Sequence, residues 1–131
     1  MKDKLNTNAL INHKQITGSC TISHNSVYLN GELVYTSHAI DAAAFLLSVY
    51  QHFQFNYPKF YKMDNLSKLG WLAAELLLLG SNINEQYTAE QIGLVLTNAN
   101  SSLDADLRYL DTMQEAASPA LFVYTLSLIH I

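Results

Sequence analysis

The sequence is poor in cysteine and in charged residues. Cys20 is its one cysteine, so an intramolecular disulfide and a cysteine-based metal site are both excluded. Charged residues make up 14% of the chain, against about a quarter in typical globular domains. A chain with so few solvating groups is expected to have part of its surface covered by a protein partner or by further chain.

Long hydrophobic runs are also missing. The most apolar segment, residues 69–79, contains Glu75 and is too short to span a bilayer. The opening MKDKLNTNAL has no apolar stretch of signal-peptide length. The sequence therefore predicts a cytoplasmic protein without a membrane span. Its net charge of −4 disfavours nucleic acid as the primary ligand, because phosphate backbones bind basic surfaces.

The first half of the chain contains signals for a hairpin and a helix. The stretch SCTISHNSVYLNGELVYTS alternates imperfectly between apolar and polar residues around Asn30-Gly31, which is the strongest short hairpin-turn signal. The stretch AIDAAAFLLSVYQHF repeats apolar residues at steps of three and four, which predicts a helix. Pro58 then forces Tyr57 out of helical conformation.

The second half predicts helices around one buried strand. Asp64 can cap a helix that stops at Gly80, and this helix is apolar on nearly every side, so we expect it to be buried. Residues 81–91 are polar and predict a loop. Residues 92–98, IGLVLTN, form a continuous apolar run, typical of a strand covered on both faces.

A further helix is predicted after this strand. Ser101 or Ser102 can cap it, and Asp104 and Asp106 then lie in its electropositive first turn. The order of hairpin, helix, helix, buried strand, loop and helix predicts a layered α/β fold. We expect residues 92–97 to form a central strand with the helix of residues 65–79 packed against it.

Residues with catalytic or ligand-binding chemistry are scattered. No two histidines have metal-ligand spacing, so all five are interpreted as ordinary surface or rim residues: His13, His24, His38, His52 and His130. Cys20 lies in a strand pattern without a cationic neighbour or helix N-terminus to activate it. It is therefore interpreted as structural.

Three further groups of polar residues have a functional and a structural interpretation. Lys59, Lys62 and Lys68 alternate with aromatic residues and could contact an acidic protein or a phosphate, although such a cluster is more often a solvated face. Asp104, Asp106 and Asp111 fit a helix start better than a catalytic carboxylate pair. Residues 98–102, NANSS, follow the predicted strand where α/β sheets place ligand loops, but they lack the glycines of a phosphate-binding loop.

Three stretches, taken in order, resemble the N-terminal half of a β-ketoacyl-acyl-carrier-protein synthase, a family of the thiolase-like superfamily. KMDNLSKLGWLAAELLL (residues 62–78) resembles the Met-Asp-x-x-Ser/Thr helix of that family. IGLVLTNANSSLDADLRYLDTM (residues 92–113) resembles its second strand, loop and following helix, and SPALFVYTL (residues 118–126) resembles the entry to its dimer-interface helix. The resemblance covers just over half of the chain and is closest to short bacterial synthase-like proteins.

The resemblance implies a partial thiolase-like layered α/β fold, the N-terminal half of the family fold, preceded by a β-hairpin. Residues 1–36 would be an N-terminal segment with the hairpin, and residues 37–131 a partial synthase-like domain truncated at its C-terminus. Residues 127–131 depart from the family pattern, and one hypothesis is that the last five or six residues are foreign, a question that the sequence leaves open.

The resemblance also implies a function in fatty-acid or polyene-type acyl condensation, without catalysis by this chain. The cysteine and two histidines of the family lie downstream of the matched stretches, and neither Cys20 nor His130 occupies a matching position. We therefore assign no catalytic, cofactor-binding or metal-binding residue and no cofactor. The implied partners are an acyl carrier protein and a second synthase subunit, in a homodimer or a heterodimer.

Three interpretations remain open at this stage. The chain could be the inactive front part of a condensing enzyme, or a non-catalytic partner of an active synthase. It could also be a small interaction module unrelated to lipid synthesis, which would use the region of Lys59 to Lys68 or the hairpin edge.

Overall fold

The structure, a computed structural model, describes residues 15–99, 103–114 and 118–125. It is a mixed α/β arrangement in which a three-stranded antiparallel sheet precedes the helices. The strands are β1 (Cys20–Ser23), β2 (Ser26–Leu29) and β3 (Glu32–Thr36), and the α-helices are α1 (Ala42–His52), α2 (Asn65–Leu78), α3 (Ile83–Gln86), α4 (Leu103–Thr112) and α5 (Pro119–Thr125).

The sheet is a meander of order β1-β2-β3 held by two tight turns. Asn30 and Gly31 join β2 to β3, as predicted, with φ values of 52° and 84°. His24 and Asn25 join β1 to β2 with φ values of 49° and 55°. Two-residue hairpins of type I′ need left-handed φ at both central residues, and asparagine and glycine tolerate it best. The sequence therefore forms two hairpins where one was predicted.

Each of the two long helices begins at an aspartate cap. Asp41 Oδ1 accepts a hydrogen bond from the Ala44 N–H at 2.8 Å, which satisfies one of the free donors of α1. Asp64 Oδ1 accepts one from the Ser67 N–H at 3.3 Å at the start of α2, so the predicted cap is confirmed. The chain leaves α2 through Gly80, whose φ of 75° suits a residue without a Cβ.

The hydrophobic core lies between the sheet, α1 and α2, with the 3-10 helix Pro58–Lys62 closing one end. Tyr50 of α1 stacks on Phe60 with ring centroids 4.2 Å apart, and Trp71 of α2 stacks on Tyr57 at 5.2 Å. The core contains residues from both sides of position 36, the boundary predicted between the N-terminal segment and the rest of the chain. Its members are Val27, Phe45, Leu46, Val49, Tyr50, Phe60, Leu72 and Leu76.

The strand predicted for residues 92–98 was wrong. These residues form no regular secondary structure and are exposed. The sheet in the described chain consists of β1, β2 and β3, and α2 packs against α1 and β1. An apolar run is stable as a strand only when a neighbouring strand pairs with its N–H and C=O groups, and the sequence pattern cannot supply that neighbour.

The expected burial of α2 is also only partly correct. Leu72 and Leu76 are fully buried, but Leu77 and Leu78 are exposed, as is Leu79 after the helix end. α1 and β1 cover one side of the helix, and its C-terminal turn projects beyond them. The predicted loop of residues 81–91 contains α3 and the 3-10 helix Ala89–Gln91.

The last two helices pack against each other. Tyr109 of α4 lies 5.5 Å from Phe122 of α5, measured between ring centroids, and the Ser118 N–H donates to Thr112 Oγ1 at 3.4 Å. The predicted helix is confirmed over Leu103–Thr112, with Asp104 and Asp106 in its first turn. Its predicted caps, Ser101 and Ser102, lie outside the described residues, as do residues 127–131. None of the helices in the described ranges is long and apolar enough to cross a membrane.

Candidate functional site

Cys20 lies at the first position of β1 and is partly buried. Burial raises the pKa of its thiol above the ordinary value, because desolvation disfavours the thiolate. A nucleophilic cysteine needs the opposite shift, produced by a cation or a helix N-terminus. These observations agree with the structural interpretation of Cys20.

The described histidines occupy separate places. His24 lies in the β1–β2 turn, where its Nδ1 is 2.6 Å from Ser23 Oγ. His52 ends α1 with its ring 4.4 Å from that of Tyr35, and His38 lies in the loop after β3. His13 and His130 lie outside the described residues. Within residues 15–99, 103–114 and 118–125, no three His, Cys, Asp or Glu side chains are grouped to hold a metal ion.

The three lysines of the predicted basic segment lie on two elements and differ in exposure. Lys59 and Lys62 are exposed on the 3-10 helix beside Tyr61, whose side chain is 61% exposed. Lys68, on α2, points back to the protein, with its Nζ 5.6 Å from the centroid of the buried Phe60 ring. Lys59 and Lys62 are therefore the exposed lysines of this segment, and Lys68 is partly buried.

Two of the three predicted carboxylates, Asp104 and Asp106, lie in the first turn of α4 and fit a helix start. Asp104 Oδ2 accepts a hydrogen bond from Arg108 Nη2 at 2.7 Å, one helical turn away, and both side chains are substantially exposed. Asp111 lies near the other end of α4 and is exposed. Asp104 and Asp111 are thus separated along the helix, and they cannot act as a carboxylate pair. Of the NANSS segment, Asn98 and Ala99 are described and exposed, and residues 100–102 lie outside the described part.

The most prominent surface feature of α4 is an apolar stripe, which consists of Leu103, Leu107 and Leu110. These side chains follow one face at steps of four and three and are 48%, 53% and 54% exposed. Another side of the helix packs on α5 through Tyr109. The α4 stripe is thus a half-exposed apolar surface, and Leu103 and Leu107 within it also line a groove formed with other elements.

A groove of about 570 Å³ lies beside this stripe, between the β1–β2 hairpin and helices α1, α2 and α4. We call it the sheet–α4 groove. Its floor includes the buried side chains of Phe45 and Leu46, and aliphatic side chains form much of its walls: Ile22, Leu66, Leu69, Leu103 and Leu107.

Polar groups lie along the edge of the sheet–α4 groove. Ser23, His24 and Asn25 contribute from the β1–β2 turn, and Asn25 Nδ2 is already bonded to the Ala39 carbonyl at 2.8 Å. Asp104 is the one formally charged residue in the lining. Such a site can hold an apolar molecule and orient it by one polar group, as small-molecule sites do.

Sequence reasoning identified Asp104 but missed both the stripe and the groove. The stripe has a sequence signal, since LDADLRYLDT places leucines at helical spacing, and a core face was the expected use of that pattern. The groove has none, because it depends on how α4 lies relative to the hairpin and α2. A scan against protein-family models gave no match, and comparisons with curated proteins and with solved structures gave none either.

Proposed function

We propose that this chain is a β-ketoacyl-acyl-carrier-protein synthase-like protein that does not catalyse condensation itself and acts as the partner of an active synthase subunit. The proposal includes a thiolase-like origin for the stretches 62–78 and 92–113. It rests on the three-stretch resemblance together with one structural observation, the exposed α4 stripe, which falls inside the second of these stretches.

The α4 stripe supports the partner function because exposed apolar side chains at helical spacing are typical of helix surfaces that bind a partner. The same helix carries no lysine, and its one arginine is paired with Asp104. The other charged side chains of the helix are the carboxylates of Asp106 and Asp111. The partner is expected to supply a complementary apolar helix surface.

Cys20 supports the absence of catalysis in this chain. Condensation by this family needs a thiolate that accepts the acyl group, and the pKa of Cys20 is raised by burial in a strand. The purified chain should therefore show no condensing activity and no covalent labelling by an acyl or malonyl carrier substrate. Acyl transfer to Cys20, detected by mass spectrometry of the intact chain, would overturn this part.

Co-expression tests the partner function. The chain should co-purify with a full-length, cysteine-bearing synthase of the same organism, and Leu110→Glu should break the complex by placing a charge on the stripe. Ile40→Glu is the matched control because Ile40 is 95% exposed and lies before α1, away from the stripe. A stable homodimer by light scattering that is indifferent to the synthase would contradict the proposal.

A second contact is favoured by the exposure of Lys59, Lys62 and Tyr61 on one short helix. We propose this surface for binding an acidic partner, of which an acyl carrier protein is the one implied by the resemblance. The double substitution Lys59→Glu with Lys62→Glu should abolish binding to the carrier protein and leave the melting temperature unchanged. Unchanged binding would exclude this surface, without bearing on the stripe.

A further inference from the structure

Asn30 and Gly31 form the one Asn-Gly pair in the sequence, and such a pair can modify itself. Asparagine is chemically labile because the backbone nitrogen of the next residue can attack its side-chain amide. A side chain on that next residue crowds the nitrogen, but Gly31 has no Cβ, and nothing lies within 4 Å of the place that one would take. Both residues are exposed. The covalent structure and the exposure of this turn therefore suit deamidation.

The reaction consumes water and releases ammonia. The Gly31 nitrogen loses its proton and forms a bond to Asn30 Cγ, while the bond from Cγ to Nδ2 breaks and ammonia leaves with that proton. The product is a cyclic imide. Water then adds to one of the two imide carbonyl groups and opens the ring, which gives aspartate or isoaspartate at position 30.

The folded turn keeps the two reacting atoms apart. Asn30 has a φ of 52°, which places it in the left-handed helical region, where ψ is about +47°. At that ψ the bond from the Asn30 carbonyl carbon to the Gly31 nitrogen points away from Cβ. Ring closure needs the nitrogen on the same side as Cβ, because Cγ is attached there. The reaction therefore requires Asn30 to leave the turn conformation.

Two hydrogen bonds to Ser19 hold Asn30 in place. The Ser19 N–H donates to Asn30 Oδ1 at 2.9 Å, and the Asn30 N–H donates to the Ser19 carbonyl at 2.8 Å. Ser19 immediately precedes β1, so this pair extends the β1–β2 ladder by one residue. Turning the Asn30 amide towards the Gly31 nitrogen breaks the first bond. The folded sheet thus opposes the reaction at the side chain as well as at the backbone.

We propose that Asn30 is a deamidation site which the folded sheet protects, so that its modification takes place in chains whose β2–β3 turn has opened. The isoaspartate product adds one methylene group to the main chain at position 30. A two-residue turn of type I′ cannot accommodate the extra backbone atom, and β2 and β3 then lose their register. Modification therefore converts a transient opening of the sheet into a permanent one.

Peptide mapping by mass spectrometry of the folded and unfolded chain tests the proposal. The full chain is incubated in one mildly alkaline buffer with and without guanidinium chloride. In denaturant Asn30 should be modified before Asn25, which precedes Ser26 and not glycine. In the folded chain the rate at Asn30 should be lower by roughly tenfold or more, because openings of a folded sheet are rarely populated. Equal rates at Asn30 in the two conditions, or earlier modification of another asparagine in denaturant, would overturn the proposal.

Two proline variants test the hydrogen bond from Ser19. Ser19→Pro removes the N–H that binds Asn30 Oδ1 and keeps the carbonyl, and proline is tolerated at the start of a strand. Deamidation of the folded variant should be roughly fivefold faster than that of the parent chain, as expected from the loss of one hydrogen bond. Thr17→Pro adds the same ring two residues earlier and should leave the rate unchanged. Equal rates in the two variants, both folded by circular dichroism, would show that Ser19 does not protect Asn30.

The modified chain itself tests the structural consequence. Isoaspartate adds a negative charge, so the product can be separated from the parent chain by ion exchange, and it should melt at a lower temperature. Asn30→Asp is the matched control, because it carries the same charge without the extra methylene group and keeps an oxygen for the Ser19 N–H. This variant should melt close to the parent chain. An isoaspartate chain as stable as Asn30→Asp would contradict the permanent opening of the sheet.

Discussion

The phenolic oxygen of Tyr50 accepts a hydrogen bond from the backbone N–H of Tyr57 at 2.7 Å. Tyr50 lies near the end of α1, and Tyr57 immediately precedes the 3-10 helix that Pro58 begins. The bond therefore connects the two elements across the break between His52 and Pro58. The Tyr50 ring also stacks on Phe60 in the core, so one side chain fixes both the backbone and the packing at this point.

Tyr50→Phe should lower the free energy of unfolding by about 1–2 kcal/mol, because it leaves a partly buried N–H without its acceptor while the ring stays in place. Urea denaturation followed by circular dichroism measures the change. Tyr61→Phe is the control, since the exposed Tyr61 ring should make no comparable contribution. Equal effects of the two substitutions would show that the hydroxyl of Tyr50 adds little.

Two glycines should respond to alanine in opposite directions. Gly31 has a φ of 84° in the β2–β3 turn, where an added Cβ is strained, so Gly31→Ala should destabilise the protein by about 1 kcal/mol. Gly70 lies inside α2, and a Cβ there would meet no atom within 4 Å. Gly70→Ala should therefore stabilise by about 0.5–1 kcal/mol. Thermal melts of the two variants give the signs directly, and a stabilising Gly31→Ala would contradict the left-handed turn.

Two leucines of α2, one buried and one exposed, should differ in how much their substitution by alanine lowers the free energy of unfolding. Leu72 is fully buried, and Leu72→Ala should cost about 2–5 kcal/mol through lost apolar burial and a residual cavity. Leu78→Ala removes the same atoms from an exposed position and should cost well under 1 kcal/mol. The comparison is made from the denaturant concentrations at the unfolding midpoints, with the dependence of the unfolding free energy on denaturant unchanged between variants. Similar losses would mean that the C-terminal turn of α2 is covered in solution.

The Cys20 thiol should make stability fall at alkaline pH. Burial raises the pKa of this thiol in the folded protein. The protonated thiol therefore contributes its full stabilisation of the folded state below the unfolded pKa, near 8.5. This contribution is lost as the pH rises through the folded pKa. Alkylation by iodoacetamide at neutral pH should be slower in the native chain than in urea. The Cys20→Ser variant should not show this loss of stability at alkaline pH. A native rate equal to the unfolded rate would contradict the shift.

The features that the sequence predicted correctly are those that depend on a few neighbouring residues. The Asn30-Gly31 turn follows from backbone preference alone, and the Asp64 cap follows from one side chain meeting the free N–H groups of the next turn. The β1–β2 turn was missed because His24-Asn25 is a weaker form of the same signal. Asparagine and histidine both adopt positive φ more often than most residues, but the strong two-residue hairpin signals have glycine as one of the pair.

The features that failed depend on distant parts of the chain. IGLVLTN predicts a buried strand only if another strand pairs with it, and no described strand does so. The leucines of α4 predict a buried face only if the rest of the chain covers them, and they are exposed. The local sequence pattern indicates the periodicity of a helix or strand, whereas tertiary contacts decide whether its apolar face is buried.

The two-residue turns of the sheet also bear on how fast the protein can fold. Because β1, β2 and β3 meet through adjacent turns, their pairing joins residues of low sequence separation and requires little loop-closure entropy. The packing of α2 on β1 joins residues much farther apart. We therefore expect that this long-range contact limits the folding rate, and that Leu76→Ala slows refolding in stopped-flow measurements. Faster unfolding without slower refolding would place the contact after the rate-limiting barrier.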